Sequence, residues 1–213
     1  MFQSIKYSKL GIFFAVVILI VMFFTLFNQN RDQNFWKCFS KNETAIFGIV
    51  SAKEPIADDL TSQLRKVDQN LVWSIGGSSK DSKRDFVISA GGIKSSFPAV
   101  TSLYNSVPKD LTHWNFVAFS PKTDTNEIQF ADKSRKVSDF YFKAEKSGDK
   151  YDLDVSVKNY EKGNDDQIAY LFLDSLLGEY NVEMKLAVID IHNLDDKEIG
   201  TLLPLKQIGD FIK

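Results

Sequence analysis

The sequence predicts an α+β protein, in which an N-terminal transmembrane helix is followed by a domain with two β-β-α-β units. Three observations lead to this fold class. An apolar, uncharged run covers 10–27, segments of strand length occur in pairs ahead of amphipathic helices, and 151–158 alternates strictly between apolar and polar residues. Paired strands followed by a helix favour antiparallel-dominated sheets with helices packed on one face.

The run 10–27 has the length of a membrane span. Its 18 residues would form a helix of about 27 Å, close to the ~30 Å hydrocarbon core of a bilayer. It exceeds the ~7–15 residues of a signal-peptide core, and no small-x-small cleavage pattern follows, so an uncleaved signal anchor is favoured over a cleaved signal. Lys6 and Lys9 precede it without an acidic residue, which favours a cytoplasmic tail, 1–9, and an exported C-terminal domain. The lipid bilayer of the cell membrane is therefore a predicted partner.

The remainder is predicted to comprise a polar linker, 28–34, and a soluble domain, 35–213. After Phe27 the chain carries 24 Lys and Arg against 28 Asp and Glu, since Lys6 and Lys9 are the only charged side chains before that point. A mildly acidic domain without a basic cluster is a poor nucleic-acid binder, so we expect no nucleic-acid partner. The single cysteine, Cys38, excludes an intrachain disulfide and a cysteine-based zinc site; burial is favoured over pairing between chains.

Two helices are predicted at the start of the domain. Phe35, Phe39 and Ile46 share one face of a helix from about 33 to 47. This helix either packs on the domain or, through Trp36, contacts lipid headgroups. A second helix is predicted to begin at Pro55, since proline suits a first helical turn. Its apolar stripe consists of Ile56, Leu60, Leu64, Val67 and Leu71.

The first β-β-α-β unit follows these helices. Apolar runs at 71–75 and 86–90 predict a hairpin with a loose polar loop between them. A helix is predicted from Pro98 to about 107, where the next proline ends it. The segment 114–120 is apolar on both faces, which predicts a strand in the middle of a sheet.

The second unit has the same order. Strands are predicted at 140–144 and 151–157, separated by a polar turn. A helix capped by Asn164 or Asp165 follows and ends at Gly178. A long strand at 182–191 and a short terminal helix at 205–212 complete the pattern.

Four strings carry a resemblance to a known family. They are FWKCFSKNE, RDFVISAGGIKSSFPAV, W-x-x-x-A-F-S-P from Trp114 to Pro121, and LLGEYNVE from Leu176 to Glu183. They resemble a family of bacterial proteins of unknown function, over roughly 35–190. The resemblance implies this order of elements and a bacterial source. Members of that family often lack a membrane span, so the predicted span would be a departure. The resemblance assigns no activity and no site residue.

No group of residues forms a defined catalytic motif. His192 lies beside Asp190, Asp195 and Asp196, a set that could hold a divalent cation but also suits a solvated loop after a strand. Asp152 and Asp154 share one strand face at about 7 Å, with Ser156 and Lys158 beside them, so an exposed polar face is favoured over paired acid-base carboxylates. G-x-S-x-G, G-x-G-x-x-G and P-loop patterns are absent from the sequence. We therefore assign no catalytic, cofactor-binding or metal-binding residue and expect no cofactor.

The sequence favours a membrane-anchored, non-catalytic binding or assembly domain of the bacterial cell envelope. Its partner would be another envelope protein, bound through the edges of its sheets. The alternative is a membrane-tethered hydrolase, with a site formed by His113, His192 and Asp190.

Overall fold

Both helices and strands occur in the part of the chain that the structure, a computed structural model, describes: 17–18, 29–195 and 197–212. The α+β class is thereby confirmed. In chain order the elements are α1 (29–41), α2 (Glu43–Phe47), α3 (Pro55–Val67), β1 (Val72–Gly76), β2 (Arg84–Ser89), α4 (Phe97–Asn105), β3 (Trp114–Ala118), β4 (Glu127–Phe130), β5 (Lys133–Lys136), β6 (Phe140–Ser147), β7 (Lys150–Val157), α5 (Asn164–Leu177), α6 (Glu179–Lys185), β8 (Leu186–Asn193), β9 (Leu203–Pro204) and α7 (Ile208–Phe211).

The first half of the chain forms a three-stranded sheet in the order β1-β2-β3. β1 pairs antiparallel with β2, and β2 pairs parallel with β3. The prediction of a central strand at 114–120 is wrong, because β3 lies at the edge and β2, buried over most of its length, is central. Helices α1, α3 and α4 contribute their apolar stripes to the core of this half, which includes Phe39, Leu64 and Leu103.

The second half forms a four-stranded sheet in the order β8-β7-β6-β9. β7 pairs antiparallel with β6 and parallel with β8, and α5 packs on one face. The strictly alternating segment became β7, with Leu153 and Val155 in a second core and Asp154 exposed. A separate two-stranded hairpin, β4–β5, was not predicted, because the alternation in its first strand covers only four residues and its second strand is entirely polar.

The start of the predicted long strand at 182–191 is also corrected. Residues up to Lys185 belong to helix α6, and the strand begins at Leu186. Val182 is buried as part of a helical face, so its apolar character served helix packing rather than a sheet.

The predicted fold, which included a transmembrane helix at 10–27, needs a correction. Within the described residues no helix is both long and apolar enough to cross a bilayer. The longest of the bounded helices, α5, has 14 residues and would extend only about 21 Å. Apart from 17–18, the run 10–27 lies outside the described residues. The tail 1–9 lies outside them as well, and the exported location of the domain stays a prediction of the sequence.

Residues 29–34 differ from the expected polar linker, because they are helical and belong to α1. Asp32 is buried there and accepts a hydrogen bond from the Ser102 hydroxyl of α4 at 2.6 Å. Burial raises the pKa of Asp32, and the Ser102 hydrogen bond partly offsets this. The Trp36 indole, one turn further on, donates to the Leu103 carbonyl at 3.0 Å. Helix α1 is therefore packed on the domain.

Candidate functional site

The predicted hydrolase residues lie in different places. His113, just before β3, has its Nδ1 atom 3.6 Å from Oε1 of Glu43 in α2. His192, on β8 in the other half, pairs through Nε2 with the Asp154 carboxylate and through Nδ1 with the Asn193 carbonyl. Asp190 lies on the same sheet as His192, in a shallow pocket that Asp154 also lines. The structure thus brings Asp190 and Asp154 together and leaves His113 in a separate pocket.

The described residues around His192 do not come together as a metal site. Partial burial lowers the pKa of His192, but the hydrogen bonds to Asn193 and Asp154 outweigh it, so the pKa is raised overall. In the described ranges, no three His, Cys, Asp or Glu side chains come together as a possible metal site. Asp196, one member of the predicted cluster, lies outside those ranges.

A buried carboxylate that sequence reasoning missed lies between the two halves. Helix α5 ends at Gly178, whose φ of 82° favours glycine, and a Cβ there would lie 3.3 Å from the Lys122 nitrogen. This close approach brings Glu179, the first residue of α6, against the first half. Its Oε1 accepts the N–H groups of Ala90 (2.8 Å) and Gly92 (3.1 Å), and its Oε2 accepts that of Ser120 (2.9 Å).

Aromatic rings surround this junction. Tyr180 lies 5.2 Å from the Phe119 ring and 5.9 Å from the Phe97 ring, measured between centroids. Each oxygen of the Glu179 carboxylate is already hydrogen-bonded to backbone, which suits a structural role. The three strings RDFVISAGGIKSSFPAV, W-x-x-x-A-F-S-P and LLGEYNVE supply these donors and the acceptor. Apart from the family resemblance that these strings carry, nothing in the sequence indicated the junction.

Asp174, on α5 close to this junction, has an unusual proton affinity. The pKa of Asp174 is raised from 3.8 to about 6, mainly by partial burial and to a smaller extent by the negative charges of Glu179 and Glu183. The neutral form is favoured in the folded state, so the contribution of this group to stability is present below about pH 4. It is lost as the pH rises through about 6, because the unfolded chain ionises first.

We expect Asp174→Asn to stabilise the protein at pH 7.5 by about 1–2 kcal/mol. The full difference in proton affinity corresponds to roughly 3 kcal/mol, and solvent screening of a partly exposed side chain reduces it. Urea unfolding of both proteins at pH 7.5 and pH 3.5 checks this. The difference should vanish at pH 3.5; an equal difference at both values would show that the carboxylate charge is not its cause.

A groove of about 430 Å³ follows the free edge of β1 in the first half. In the described residues β1 pairs only with β2, so its other edge has no strand partner. The groove is lined by the loop after α2, by Thr61 of α3 and by β1 itself. Two valines in its lining are exposed, Val50 by 79% and Val72 by 45%. The groove therefore combines unpaired strand backbone with accessible apolar side chains.

Arg84, at the start of β2, forms part of the lining of this groove. Its side chain crosses beneath the loop after α2, where Nη1 donates to the carbonyls of Phe47 (2.6 Å) and Ile49 (2.8 Å). Its Nε donates to the Gly76 carbonyl at 3.3 Å. These bonds connect the loop to the sheet beside the groove. Sequence reasoning gave no signal for this residue, because a single arginine next to an apolar run is typical of a strand end.

Comparisons with known proteins leave the family open. No family model matches the chain, and neither the curated proteins nor the solved structures contain a match to it. The resemblance to bacterial proteins of unknown function therefore stays a prediction.

Proposed function

We propose that this protein is a non-catalytic binding domain that takes up an extended segment of a partner protein along β1. The groove beside β1 carries this proposal, because the free strand edge and the exposed valines lie next to each other. An extended segment that adds to a sheet edge forms main-chain hydrogen bonds, and pockets beside the strand select its side chains. Both requirements are supported by the lining of this groove.

A second edge strand, β8, fits this role less well. It is also unpaired on one side within the described residues. Its neighbouring pocket is smaller, about 240 Å³, and is lined mainly by charged side chains, including Lys143, Asp152 and Asp190. β8 therefore serves as an internal control for β1.

We expect Val72→Lys to abolish binding of extended peptides, whereas Val188→Lys should leave it unchanged. Both valines are exposed on edge strands, Val188 by 61%, but only Val72 lines the groove. A lysine at 72 replaces an apolar contact with a charged side chain at the strand edge, which should weaken binding at least about tenfold. A positional-scanning library of acetylated, amidated decapeptides, enriched on the full chain, provides the ligands and the measurement.

Two results would count against the proposal. One is that the unaltered protein enriches no peptide from the library. The other is that Val72→Lys and Val188→Lys bind the enriched peptides equally well. Circular dichroism of both variants checks that neither substitution unfolds the domain.

The hydrolase alternative has one observation in its favour. Ser82 lines the same pocket as the Glu43–His113 pair, which resembles the residue types of a nucleophilic site. No hydrogen bond connects Ser82 to His113 among the described contacts, and a general base has to reach the hydroxyl it activates. Binding is therefore the better-supported proposal.

A further inference from the structure

Arg84 is a buried cation without a counter-ion. Its side chain is only 5% exposed, yet no carboxylate lies within ion-pair distance of it among the described residues. Its partners are three backbone carbonyls and the ring of Phe47, whose centroid lies 5.9 Å from the guanidinium carbon. These groups carry only partial charges. A buried charge that is hydrogen-bonded but not neutralised favours the approach of an anion.

Part of the hydrogen-bonding capacity of the guanidinium group is unused among the described residues. The three carbonyls occupy Nε and Nη1, and the remaining nitrogen, Nη2, has no acceptor within the described part of the chain. Nη2 is not fully buried, and Arg84 lines the groove. Its N–H groups are therefore accessible from the groove. A carboxylate oxygen bound there would form a charge-assisted hydrogen bond, which is stronger than a neutral one.

We propose that the groove along β1 selects segments that carry an Asp or Glu side chain, whose carboxylate binds Arg84. This inference rests on the proposed function and adds the chemistry of the partner to it. The partner strand would pair with β1, place an apolar side chain near Val72 and direct its carboxylate to Nη2. Because the arginine is held by three carbonyls, its position is fixed before the partner arrives, so little side-chain entropy is lost on binding.

The same decapeptide library tests this inference. All its members are acetylated and amidated, so side chains are their only source of carboxylates. We expect the enriched peptides to share Asp or Glu at one position relative to an apolar residue. Resynthesis with Gln or Asn at that position should raise the Kd for the unaltered full chain at least about tenfold. This comparison needs no change in the protein.

A protein variant then assigns the effect to Arg84. Arg84→Lys keeps the charge but loses the planar array of donors, so it should bind acidic and amide peptides with nearly the same Kd. Arg65→Lys is the matched control, because Arg65 is an exposed arginine on α3 outside the lining of this groove. It should keep the preference of the unaltered protein. If Arg84→Lys does not fold, the peptide comparison alone decides.

The outcomes separate this inference from the proposed function. Enrichment of peptides without a shared carboxylate would overturn the inference and leave the binding function standing. Enrichment of no peptide would overturn both. If an amide peptide regained affinity when made with a free C-terminus, the groove would recognise a terminal carboxylate, and the inference of a side-chain carboxylate would be wrong.

Discussion

Replacing Phe39 with alanine should lower the free energy of unfolding by about 3–5 kcal/mol, the usual cost of removing a large buried aromatic side chain. Phe39 lies on α1 and is fully buried. Its ring centroid lies 5.0 Å from that of Phe86, 5.3 Å from that of Trp114 and 5.7 Å from that of Phe116. Alanine would leave a cavity at the centre of this cluster, where α1 joins the sheet, and the rings around it can close it only in part.

Thermal unfolding of the full chain measures the effect. At roughly 2–4 °C for each kcal/mol in a domain of this size, we expect the melting temperature to fall by about 6–20 °C. Phe130→Ala is the control, since Phe130 is an exposed phenylalanine on β4 and should change the melting temperature little. A decrease below about 2 °C for Phe39→Ala would show that α1 contributes little to the core of the first half.

The packing of α1 illustrates what the sequence could predict. Phe35, Phe39 and Ile46 were expected on one face of a single helix, and all three are buried in the first core, although a turn at Asn42 places Ile46 on α2. The alternation in 151–157 likewise predicted β7 and its inward face, but Ser156, which was expected in water, is buried. Both features depend on short-range periodicity, because a regular element with one buried face imposes its period on the sequence.

Features that depend on distant parts of the chain were not predicted. The groove combines the loop after α2 with β1 and Arg84, and the arginine reaches the Ile49 carbonyl 35 residues away. Glu179 meets its donors 59 to 89 residues away. No local period encodes such contacts, and a glutamate in a first helical turn is ordinarily explained by the helix dipole. The wrong prediction that 114–120 would be a central strand has the same origin, because apolar side chains on both faces of a strand do not show which strands are its neighbours.

The second large effect is expected at the junction, where Glu179→Gln should cost about 3–5 kcal/mol. A hydrogen bond to a charged group contributes roughly 1.5–3 kcal/mol, and a buried N–H left without an acceptor adds a penalty. Glutamine keeps one acceptor oxygen. That oxygen can accept either from Ala90 and Gly92 or from Ser120, but not from all three. Its NH₂ group would then face at least one backbone N–H, and neither of these two donors would have an acceptor there. Because the two halves have separate cores, the loss should fall on the contact between them.

Glu183→Gln provides the matched control for this prediction. Glu183 lies on the same helix, α6, and also contributes to the raised pKa of Asp174, but its carboxylate has no hydrogen-bond donor among the described residues. Its replacement should change stability by less than about 1 kcal/mol. Urea unfolding compares the two variants, and hydrogen exchange locates the effect: the amides of Ala90, Gly92 and Ser120 should exchange faster in Glu179→Gln alone. Equal stability of the two variants, with unchanged exchange at these amides, would show that the Glu179 carboxylate does not hold the halves together.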